Sequence, residues 1–510
     1  QFLGNQDQNY IHWRDALLSI DKKSRSLPLR RMSTTCTLPT VQEKQFSQQQ
    51  TGICFYHQQG FGQVFANMPE EKKEVSSVVS RPRHSKWPAI PMEEALKIVE
   101  NETEPVLKKT LPVTLVRPGL VLAEKVIART PIPAVRTSIK DGYAVVAADG
   151  IGEREVVTNT TAGTIADQTI TPGTCARVST GSMIPFGADA VVQVEDTELI
   201  SHDGIEEHVV KILKVPKIDQ DIRGVGSDMH VGQVLLEERC IIGSAEIGIL
   251  AASGQKTVDI FRKPKVCVMS TGNELIDWTS EEIPIGKIRD TNRPQLMALL
   301  SCSGFKAIDG GIVGDTREQL IKAIKVAFKF SNVIVMSGGV SMGEKDMVKS
   351  VLQEDLGFKI HFGRVFMKPG LPSTFATGKF ESDEKRYVFA LPGNPVSAWV
   401  AAQLFAIPAL KKMGGFRNCF QTVIKVKLAE SIKLDSRPEY RRAWLSTDPW
   451  GTGADNDDVP YAVCTSHNQL SSFLLNTRGA NLLLKLPNKT SELEKLEVGT
   501  VVEALVIGNI

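Results

Sequence analysis

The segment Val333-Ile-Val-Met-Ser-Gly-Gly-Val-Ser-Met-Gly-Glu-Lys-Asp346 predicts a buried strand that ends in a glycine turn. The next residues, Met347-Val-Lys-Ser-Val-Leu352, have the pattern of a helix. In a strand–turn–helix unit of this kind, backbone N–H groups and the positive end of the helix dipole converge on one place, which suits an anion. Asp346 would repel a bare phosphate unless a cation lies between them. The segment therefore predicts a site for an anion together with a metal ion.

Strands and helices alternate on both sides of this segment. The pattern predicts strands at Lys265–Met269, Ala307-Ile308, Val333–Met336 and Tyr387–Leu391, and helices at Arg293–Cys302 and Arg317–Phe330. Such alternation is typical of a three-layer α/β domain with a mainly parallel sheet, which we place at residues 263–414. Ligands of these domains bind at the carboxyl ends of the strands.

The other parts of the chain have different patterns. Residues 1–87 are rich in glutamine and have no sustained apolar period, so we interpret them as a disordered leader. Residues 88–262 begin with a helical pattern, in which Met92, Ala95, Leu96 and Val99 share one face, and continue as short strands with a β insertion at about 124–224. Residues 415–510 return to short strands and predict a small β-barrel.

Composition excludes several classes of function. The chain has 510 residues, 60 of them basic and 58 acidic, and this balance does not favour bulk nucleic-acid or membrane-surface binding. No uninterrupted apolar run is long enough to span a bilayer. The eight cysteines are scattered without a Cys-x-x-Cys pair, which favours reduced thiols and a cytoplasmic location.

Missing motifs narrow the chemistry further. The chain has neither a P-loop nor a Gly-x-Gly-x-x-Gly dinucleotide fingerprint, and it lacks a His-Glu-x-x-His zinc motif. Its eight histidines form no cluster with metal-ligand spacing. A metal ion would therefore have oxygen ligands, which suits Mg²⁺.

Four motifs follow the predicted strands of the α/β domain: Met269-Ser-Thr-Gly-Asn-Glu274, Gly286-Lys-Ile-Arg-Asp-Thr-Asn-Arg293, the glycine turn at Ser337, and Leu391-Pro-Gly-Asn-Pro-Val-Ser397. Each also has a purely structural interpretation. Glu274 and Asp346 could simply stabilise helix starts, the second motif could be a solvated turn before Pro294, and Lys368 could be a solvated charge.

The motifs taken in series resemble a known family, the molybdenum insertases of molybdenum-cofactor biosynthesis, and are most similar to the gephyrin-type E domain. The resemblance covers about Pro91 to Ile510 and rests on Ile139-Lys-Asp-Gly-Tyr-Ala144, Thr180-Gly181, Gly187–Asp196, Ser270–Glu274, Ser337–Ser341 and Leu391–Pro395. It implies a transferase reaction in which molybdate displaces AMP from adenylylated molybdopterin, assisted by a divalent cation such as Mg²⁺. It also implies an elongated homodimer in which Asp141 and Thr180 face the α/β domain of the partner.

The resemblance assigns roles to residues of this chain. The catalytic candidates are Asp141, Asp346, Glu274 and Asp315, of which Asp346 and Glu274 would hold the metal ion. The molybdate candidates are Lys368, Arg442, Ser471 and Ser472. The candidates for binding the adenylylated pterin are Thr180, Gly181, Arg223, Ser270, Thr271, Gly272, Asn273, Asp290, Asn292, Arg293, Ser337, Gly338, Gly339, Val340, Ser341, Pro392, Gly393, Asn394 and Pro395.

Two other functions remain open at this point, and both rank below the insertase. Gephyrin also anchors receptors, but Leu96, Asn488 and Leu493 stand where it carries aromatic and proline anchors, so a scaffold role is disfavoured. The adenylyltransferase of the preceding step typically has Gly-Gly-Thr-Gly where this chain has Gly338-Gly-Val-Ser341. A separate adenylyltransferase and molybdenum apoenzymes are therefore expected partners. Leu371 stands where many insertases have a second lysine, which predicts a weaker molybdate subsite.

Overall fold

The structure is a computed structural model, and it describes residues 86–340, 347–446 and 459–510. Almost all of the predicted leader lies outside these ranges, as do Ser341 and Asp346 of the glycine-turn segment. Within the described ranges, no helix is both long and apolar enough to cross a membrane.

The region before the α/β domain is rich in short strands. It contains α1 (Met92–Glu102), β1 (Lys108–Pro112), β2 (Val126–Ile127), β3 (Thr137–Ser138), β4 (Gly142–Val145), β5 (Gly152–Thr160), β6 (Thr174–Val178), β7 (Ala190–Gln193), β8 (Thr197–His202), β9 (Glu207–Ile212), β10 (Ile222–Arg223), β11 (Val234–Leu236), α2 (Ser244–Ala252) and β12 (Thr257–Phe261). Met92, Ala95 and Val99 of α1 are buried, as the helical period predicts. The pairs β1–β12 and β2–β11 are antiparallel, so the chain leaves this module after β2 and returns to it at β11.

The part between β2 and β11 forms a six-stranded sheet in the order β7-β4-β6-β5-β9-β8. Tyr143 and Val145 of β4 pack with the buried side chains of the neighbouring strands. Gly142 begins β4, and a Cβ atom at this position would lie 2.0 Å from the carbonyl oxygen of Val192 on β7. The glycine of the Asp-Gly-Tyr-Ala motif is therefore required by the close approach of two strands.

The α/β domain has helices on both sides of one sheet. It contains β13 (Val266–Thr271), β14 (Leu275–Ile276), β15 (Ile288–Arg289), α3 (Asn292–Cys302), β16 (Ala307–Val313), α4 (Arg317–Phe330), β17 (Val333–Ser337), α5 (Met347–Ser350), β18 (Lys359–Phe362), β19 (Thr374–Lys379), β20 (Lys385–Leu391), α6 (Pro395–Ala401) and α7 (Ile407–Met413). The sheet order is β16-β13-β17-β20-β19-β18. The first four strands are parallel, whereas β19 is antiparallel to both of its neighbours. The predicted mainly parallel sheet is confirmed, but β18 and β19 were not predicted.

Strand β17 is a continuous apolar run in the sequence because both of its faces are covered. All of its side chains are buried. Val333 and Val335 pack on the side of α3, α6 and α7, whereas Ile334 and Met336 pack on the side of α4. A central parallel strand covered by helices on both faces needs apolar residues at every position. The predicted three-layer architecture is thereby confirmed.

The last part of the described chain forms a closed five-stranded barrel in the order β21-β24-β23-β25-β27. Its strands are β21 (Val423–Leu428), β22 (Ile432–Lys433), β23 (Glu439–Leu445), β24 (Tyr461–Cys464), β25 (Leu482–Leu486), β26 (Lys495–Leu496) and β27 (Val501–Val506), of which β22 and β26 form a separate pair. Val426, Ala443 and Leu484 are among its fully buried residues. The predicted C-terminal barrel is confirmed.

Candidate active site

The turns after strands β13, β17 and β20 meet at the carboxyl edge of the sheet. The N–H of Gly338, after β17, donates to the carbonyl oxygen of Leu391 at the end of β20 (3.0 Å). The N–H of Gly272, after β13, donates to the carbonyl oxygen of Val313 at the end of β16 (3.1 Å). The structure thus brings together the loops after four neighbouring strands, three of which carry predicted motifs, as expected for a ligand site in a parallel sheet.

The Gly338-Gly339 turn has no room for side chains. Both residues have positive φ angles, +92° and +68°. A Cβ atom on Gly338 would lie 2.4 Å from the carbonyl oxygen of Thr271, and one on Gly339 would lie 2.8 Å from a methyl group of Val348. The turn therefore depends on glycine for two reasons, its backbone conformation and its close packing.

We expect Gly338→Ala to destabilise the protein by about 1–3 kcal/mol, because the substitution combines a strained φ angle with a backbone clash. Gly286→Ala is the matched control, since Gly286 also has a positive φ angle (+81°) but open space around it. The free energy of unfolding, measured by urea titration, should fall more for Gly338→Ala than for the control. Equal losses would show that the packing against Thr271 has no energetic importance.

Two predicted carboxylates border the turn after β13. The N–H of Asn273 donates to Oδ2 of Asp315 (3.1 Å), and the N–H of Asp315 donates back to Oδ1 of Asn273 (3.2 Å). The carboxylate of Glu274 lies beside Gly272, where a Cβ atom would be only 2.6 Å from its Oε2. Glu274 and Asp315 are thus neighbours on the rim of the site.

These carboxylates fit one kind of metal ion. No group of three or more His, Cys, Asp or Glu residues in the described ranges could hold a metal by itself. The possible metal ligands at the carboxyl edge of the sheet are oxygen atoms of the Glu274 and Asp315 carboxylates. This arrangement fits Mg²⁺, which keeps several waters and shares phosphate oxygens with its ligand.

Asp290 and Arg293 form a buried ion pair beneath the loops of the candidate site. The exposed fractions of the two residues are 1% and 4%. Nε of Arg293 donates to Asp290 (2.9 Å), and its Nη atoms donate to Asp277 (2.6 Å) and Asp309. Burial lowers the pKa of Arg293, but the hydrogen bonds and charges of Asp290 and Asp309 outweigh burial and raise that pKa overall. Both side chains are buried and already bonded within the protein, and their role in binding the pterin stays a prediction.

The same network extends to the strand ends. Oγ of Ser270 donates to Oδ1 of Asp290 (2.8 Å) and lies 3.2 Å from Oγ of Ser337. Both serines are buried, as are Thr271 and Val340. The side chains predicted to bind the pterin at these positions thus lie within the protein. They shape the loops, whose backbone remains the part available to a ligand.

The turn after β20 joins the sheet edge to the barrel. Nδ2 of Asn292 donates to the carbonyl oxygen of Gly393 (2.7 Å), while its Oδ1 is buried without a hydrogen-bond partner in the described ranges. Nδ2 of Asn394 donates to Oγ of Ser471 (3.0 Å). Pro392 and Pro395 flank this turn, and α6 begins at Pro395. Ser471, predicted for molybdate, is thereby placed at the same edge as the glycine turn.

Lys368 and Arg442 belong to a group of charges between the α/β domain and the barrel. Nζ of Lys368 pairs with Asp435 (3.2 Å) and Glu439 (3.5 Å). Arg442 is fully buried, and its Nη1 donates to the carbonyl oxygen of Tyr440 (3.1 Å). Its Nε and Nη2 have no hydrogen-bond partner in the described part of the chain. Burial lowers the pKa of Arg442 to about 10, so it remains a cation at neutral pH.

A second group of predicted residues lies in the β insertion. The N–H of Thr180 donates to Oδ1 of Asp141 (2.8 Å). Gly181 follows with a φ angle of +81° and open space around it, and Arg223 of β10 pairs with Thr137 of β3. These predicted residues thus lie together in the β insertion, on a different sheet from the candidate site of the α/β domain. Ser341 and Asp346 lie outside the described residues, so their predicted roles stay predictions.

Sequence reasoning missed several supporting residues. Asp277 and Asp309 hold Arg293, and Gln469 accepts from the backbone N–H of Arg442 (2.9 Å). Asp309 carried a usable signal, because it is a charged residue inside an otherwise apolar strand. Glu439 begins β23 and is itself 1% exposed, but the charged residues that follow it in the sequence gave no sign of this burial. Gln469 lies in a loop without a distinctive pattern.

Comparisons with known proteins agree with this geometry. Residues 90–254 match the family description "MoeA N-terminal region (domain I and II)", and residues 267–412 match "Probable molybdopterin binding domain". Gephyrin of Dictyostelium discoideum is 37% identical over 84% of this chain and 64% of its own length. The molybdopterin molybdenumtransferase of Staphylococcus epidermidis is 33% identical over 62% of this chain and 74% of its own length. The crystal structure of the molybdopterin biosynthesis MoeA protein from Pyrococcus horikoshii superposes with a TM-score of 0.68 at 24% identity, covering 83% of this chain and all of that one.

The fold and the matched domains place the chain among multidomain proteins with a molybdopterin-binding domain. The chain is 33% identical to the Staphylococcus epidermidis enzyme over 74% of that enzyme's length, so it belongs to the molybdopterin molybdenumtransferase family. The chain spans just under two thirds of the gephyrin that it matches.

Proposed function

We propose that the protein is a molybdenum insertase, a transferase that inserts molybdate into adenylylated molybdopterin and releases AMP. The observation that carries this proposal is the meeting of three features at one sheet edge. These are the Gly338-Gly339 turn, the carboxylates Glu274 and Asp315, and the barrel loop held through Ser471. The reaction cleaves a phosphoanhydride and transfers molybdenum to the dithiolene sulfurs of the pterin. It therefore needs donors for phosphate oxygens, ligands for a cation and a pocket for an oxyanion.

The backbone at the edge would hold the phosphate groups. Glycine turns let N–H groups approach phosphate oxygens closely, because no side chain intervenes. The network of Arg293, Asp290 and Ser270 fixes the strand ends from which these turns start. Glu274 would hold Mg²⁺ together with Asp346, the ligand predicted from the sequence, and Asp315, which is bonded to the neighbouring Asn273, would help to position the cation. When bound, Mg²⁺ supplies charge neutralisation for the leaving AMP.

The charges around Arg442 would form the molybdate subsite. Unpartnered donors on a buried guanidinium are costly unless a ligand satisfies them. Molybdate has the charge and oxygen geometry to accept from Nε and Nη2 of Arg442. Lys368 adds positive charge, while Ser471 and Ser472 offer hydroxyl groups from the neighbouring loop. Glu439, which forms an ion pair with Lys368 but accepts no hydrogen bond in the described ranges, adds negative charge that limits how tightly an anion is held.

We further propose a homodimer in which the two groups of site residues come from different subunits. Two sets of apolar side chains are exposed, one beside the sheet edge and one beside the β insertion: Trp278, Ile283, Ile285 and Ile288 in the first set, and Ile139, Val194 and Val225 in the second. Exposed apolar patches of this kind mark interaction surfaces. A two-fold axis that joins one set to the other would bring Asp141 to the partner's sheet edge.

Mixed dimers test this arrangement. We expect Asp141→Asn and Asp315→Asn each to inactivate the homodimer, because both carboxylates serve the same site. Coexpression of the two variants should restore about one quarter of wild-type activity, since half of the dimers are mixed and each mixed dimer has one intact site. Coexpression of two differently tagged Asp141→Asn chains is the control. If mixed dimers are as inactive as this control, both carboxylates come from one subunit.

Reconstitution tests the function itself. Purified protein is incubated with adenylylated molybdopterin, molybdate and Mg²⁺, and then with a molybdenum-dependent apoenzyme whose activity reports the finished cofactor. The proposal predicts activation that requires all three additions. Activation without the protein, or none with it, would rule the proposal out. A cytoplasmic location and a separately supplied adenylyltransferase complete the proposed setting.

A further inference from the structure

Two amide side chains in the first turn of α3 have buried carbonyl oxygens that accept no hydrogen bond. Oδ1 of Asn292 and Oε1 of Gln295 are both buried, and neither has a hydrogen-bond partner among the residues that the structure describes. Asn292 as a whole is only 8% exposed. Because a buried acceptor without a donor destabilises a protein, two of them on one turn of a helix suggest that a ligand supplies the missing donor.

The orientation of each amide is fixed by the bond that its nitrogen makes. Nδ2 of Asn292 donates to the carbonyl oxygen of Gly393 (2.7 Å), which can only accept. Nε2 of Gln295 donates to Oγ1 of Thr477 (3.5 Å), whose own hydrogen is donated to the carbonyl oxygen of Leu474 (2.8 Å). Neither amide can turn over without losing its bond. The unsatisfied atoms are therefore acceptors, and a ligand must bring hydrogens to them.

Both residues lie where three parts of the candidate active site meet. Asn292 joins α3 to Gly393 in the turn after β20. A Cβ atom on Gly393 would lie 3.7 Å from Cα of Gly338, so this turn lies against the glycine turn that we propose for phosphate. Gln295 joins α3 to the barrel loop, which Ser471 connects to the turn after β20. The two amides are thus part of a closed ring of contacts beside the glycine turn.

The number of hydrogens that the two acceptors need narrows the choice of ligand. Side chains three residues apart on a helix are neighbours, so one ligand group can reach both. A ribose hydroxyl has a single hydrogen to donate, whereas an amino group on an aromatic ring has two. The adenylylated molybdopterin of the proposed reaction carries one such amino group on its adenine and another on its pterin. Both rings are connected to the phosphates that the glycine turn would hold.

We propose that Asn292 and Gln295 together bind the amino group of a nitrogen heterocycle of the substrate. The inference rests on the proposed function for the identity of that substrate, and it assigns a role to Gln295, which none of the sequence motifs indicated. One amino group would satisfy both acceptors. Their lack of donors in the free protein would then be relieved only in the complex, which favours the ring with the amino group over a ring with oxygen in its place.

Two pairs of probes test the proposal on the full chain: AMP with IMP, and pterin with lumazine. In each pair the second compound has an oxygen in place of the amino group. Affinities are measured by calorimetry with Mg²⁺ and without molybdate. Gln295→Met removes the acceptor at nearly constant size. Gln255→Met is the matched control, because Nε2 of Gln255 also donates to a protein acceptor, the carbonyl oxygen of Ile127 (3.1 Å), in the module before the α/β domain.

We expect wild type to prefer the amino compound of one pair by at least about tenfold, because two hydrogen bonds depend on the amino group. Gln295→Met should reduce that preference at least about threefold, whereas Gln255→Met should leave it unchanged. A reduced preference for AMP over IMP assigns the site to the adenine, and a reduced preference for pterin over lumazine assigns it to the pterin. No preference in wild type, or preferences that Gln295→Met leaves unchanged, would overturn the proposal and leave a buried water only as the partner of the two oxygens.

Stability provides a second readout. Thermal unfolding of the free protein should have the same or a higher midpoint in Gln295→Met, because the substitution removes an unsatisfied buried acceptor. A lower midpoint, with both compounds of each pair bound more weakly by the same factor, would mean that Gln295 only supports the fold and would overturn the proposal. The insertion assay is independent of these measurements. Failure of insertion with an intact, Gln295-dependent preference would refute the proposed reaction but not the binding of the heterocycle.

Discussion

Arg442→Met is expected to raise the molybdate concentration needed for half-maximal insertion by at least about 30-fold, because loss of one partner of a buried charge pair costs about 2–5 kcal/mol. Arg442 is fully buried, and its Nε and Nη2 have no hydrogen-bond partner in the described ranges. In the proposed molybdate subsite these donors would bind molybdate oxygens, and methionine has no such donors. The turnover number at saturating molybdate should change much less than the KM.

The controls for this prediction separate binding from folding. Arg478→Met removes an exposed arginine from the same barrel and should leave the KM for molybdate unchanged. Arg442→Lys keeps the charge but replaces the planar fork of the guanidinium by a single nitrogen, so its KM should lie between those of wild type and Arg442→Met. Thermal unfolding shows whether the barrel is intact. A Met variant that is folded and has a wild-type KM would remove Arg442 from the molybdate subsite.

Arg293→Met is expected to lower the free energy of unfolding by about 3–5 kcal/mol, the usual cost of leaving buried charges without their partner. Arg293 is bonded to Asp290, Asp277 and Asp309, and of these Asp290 is itself 1% exposed. Without the guanidinium, Asp290 would retain as donors, among the residues that the structure describes, only the N–H of residue 293 and the hydroxyl of Ser270. Urea titration measures the loss directly.

Arg317→Met is the matched control for Arg293→Met. Arg317 also pairs with two carboxylates, Glu354 and Asp355, but its side chain is 39% exposed. Water screens such pairs, so the control should change stability little. Arg293→Met should also slow insertion, because the strand ends that carry the glycine turns lose their support. Similar losses of stability in both variants would mean that burial does not determine the importance of the Arg293 network.

The elements with a clear sequence period were predictable. Helix α4 has the predicted bounds, Arg317–Phe330, because its apolar residues recur on one face and Thr316 caps its start. Strand β17 was predictable because both of its faces are buried. Strands β18 and β19 were missed, since β18 has four residues and β19 contains two threonines and a glycine without clear alternation. Their place in the sheet depends on pairing with β20, which is not a local property.

The sequence predicted which loops form the candidate site, but not which of their side chains are buried beneath it. Glycine turns after buried strands predicted the position of the candidate site, and the structure brings those turns together. The sequence could not show that Asp290 and Arg293 lie beneath the turns, because their burial depends on carboxylates in β16 and before β15 that are distant along the chain. Likewise, the pairing of Lys368 with Asp435 and Glu439 arises from the packing of the barrel on the α/β domain.

We propose that this chain couples molybdate insertion to the release of AMP. A single-turnover reaction measures this coupling directly: adenylylated molybdopterin is bound to the protein with Mg²⁺, and AMP is followed by chromatography. We expect AMP to appear only after molybdate is added, in an amount equal to the cofactor formed. AMP release at the same rate without molybdate, or cofactor formation without AMP release, would contradict it.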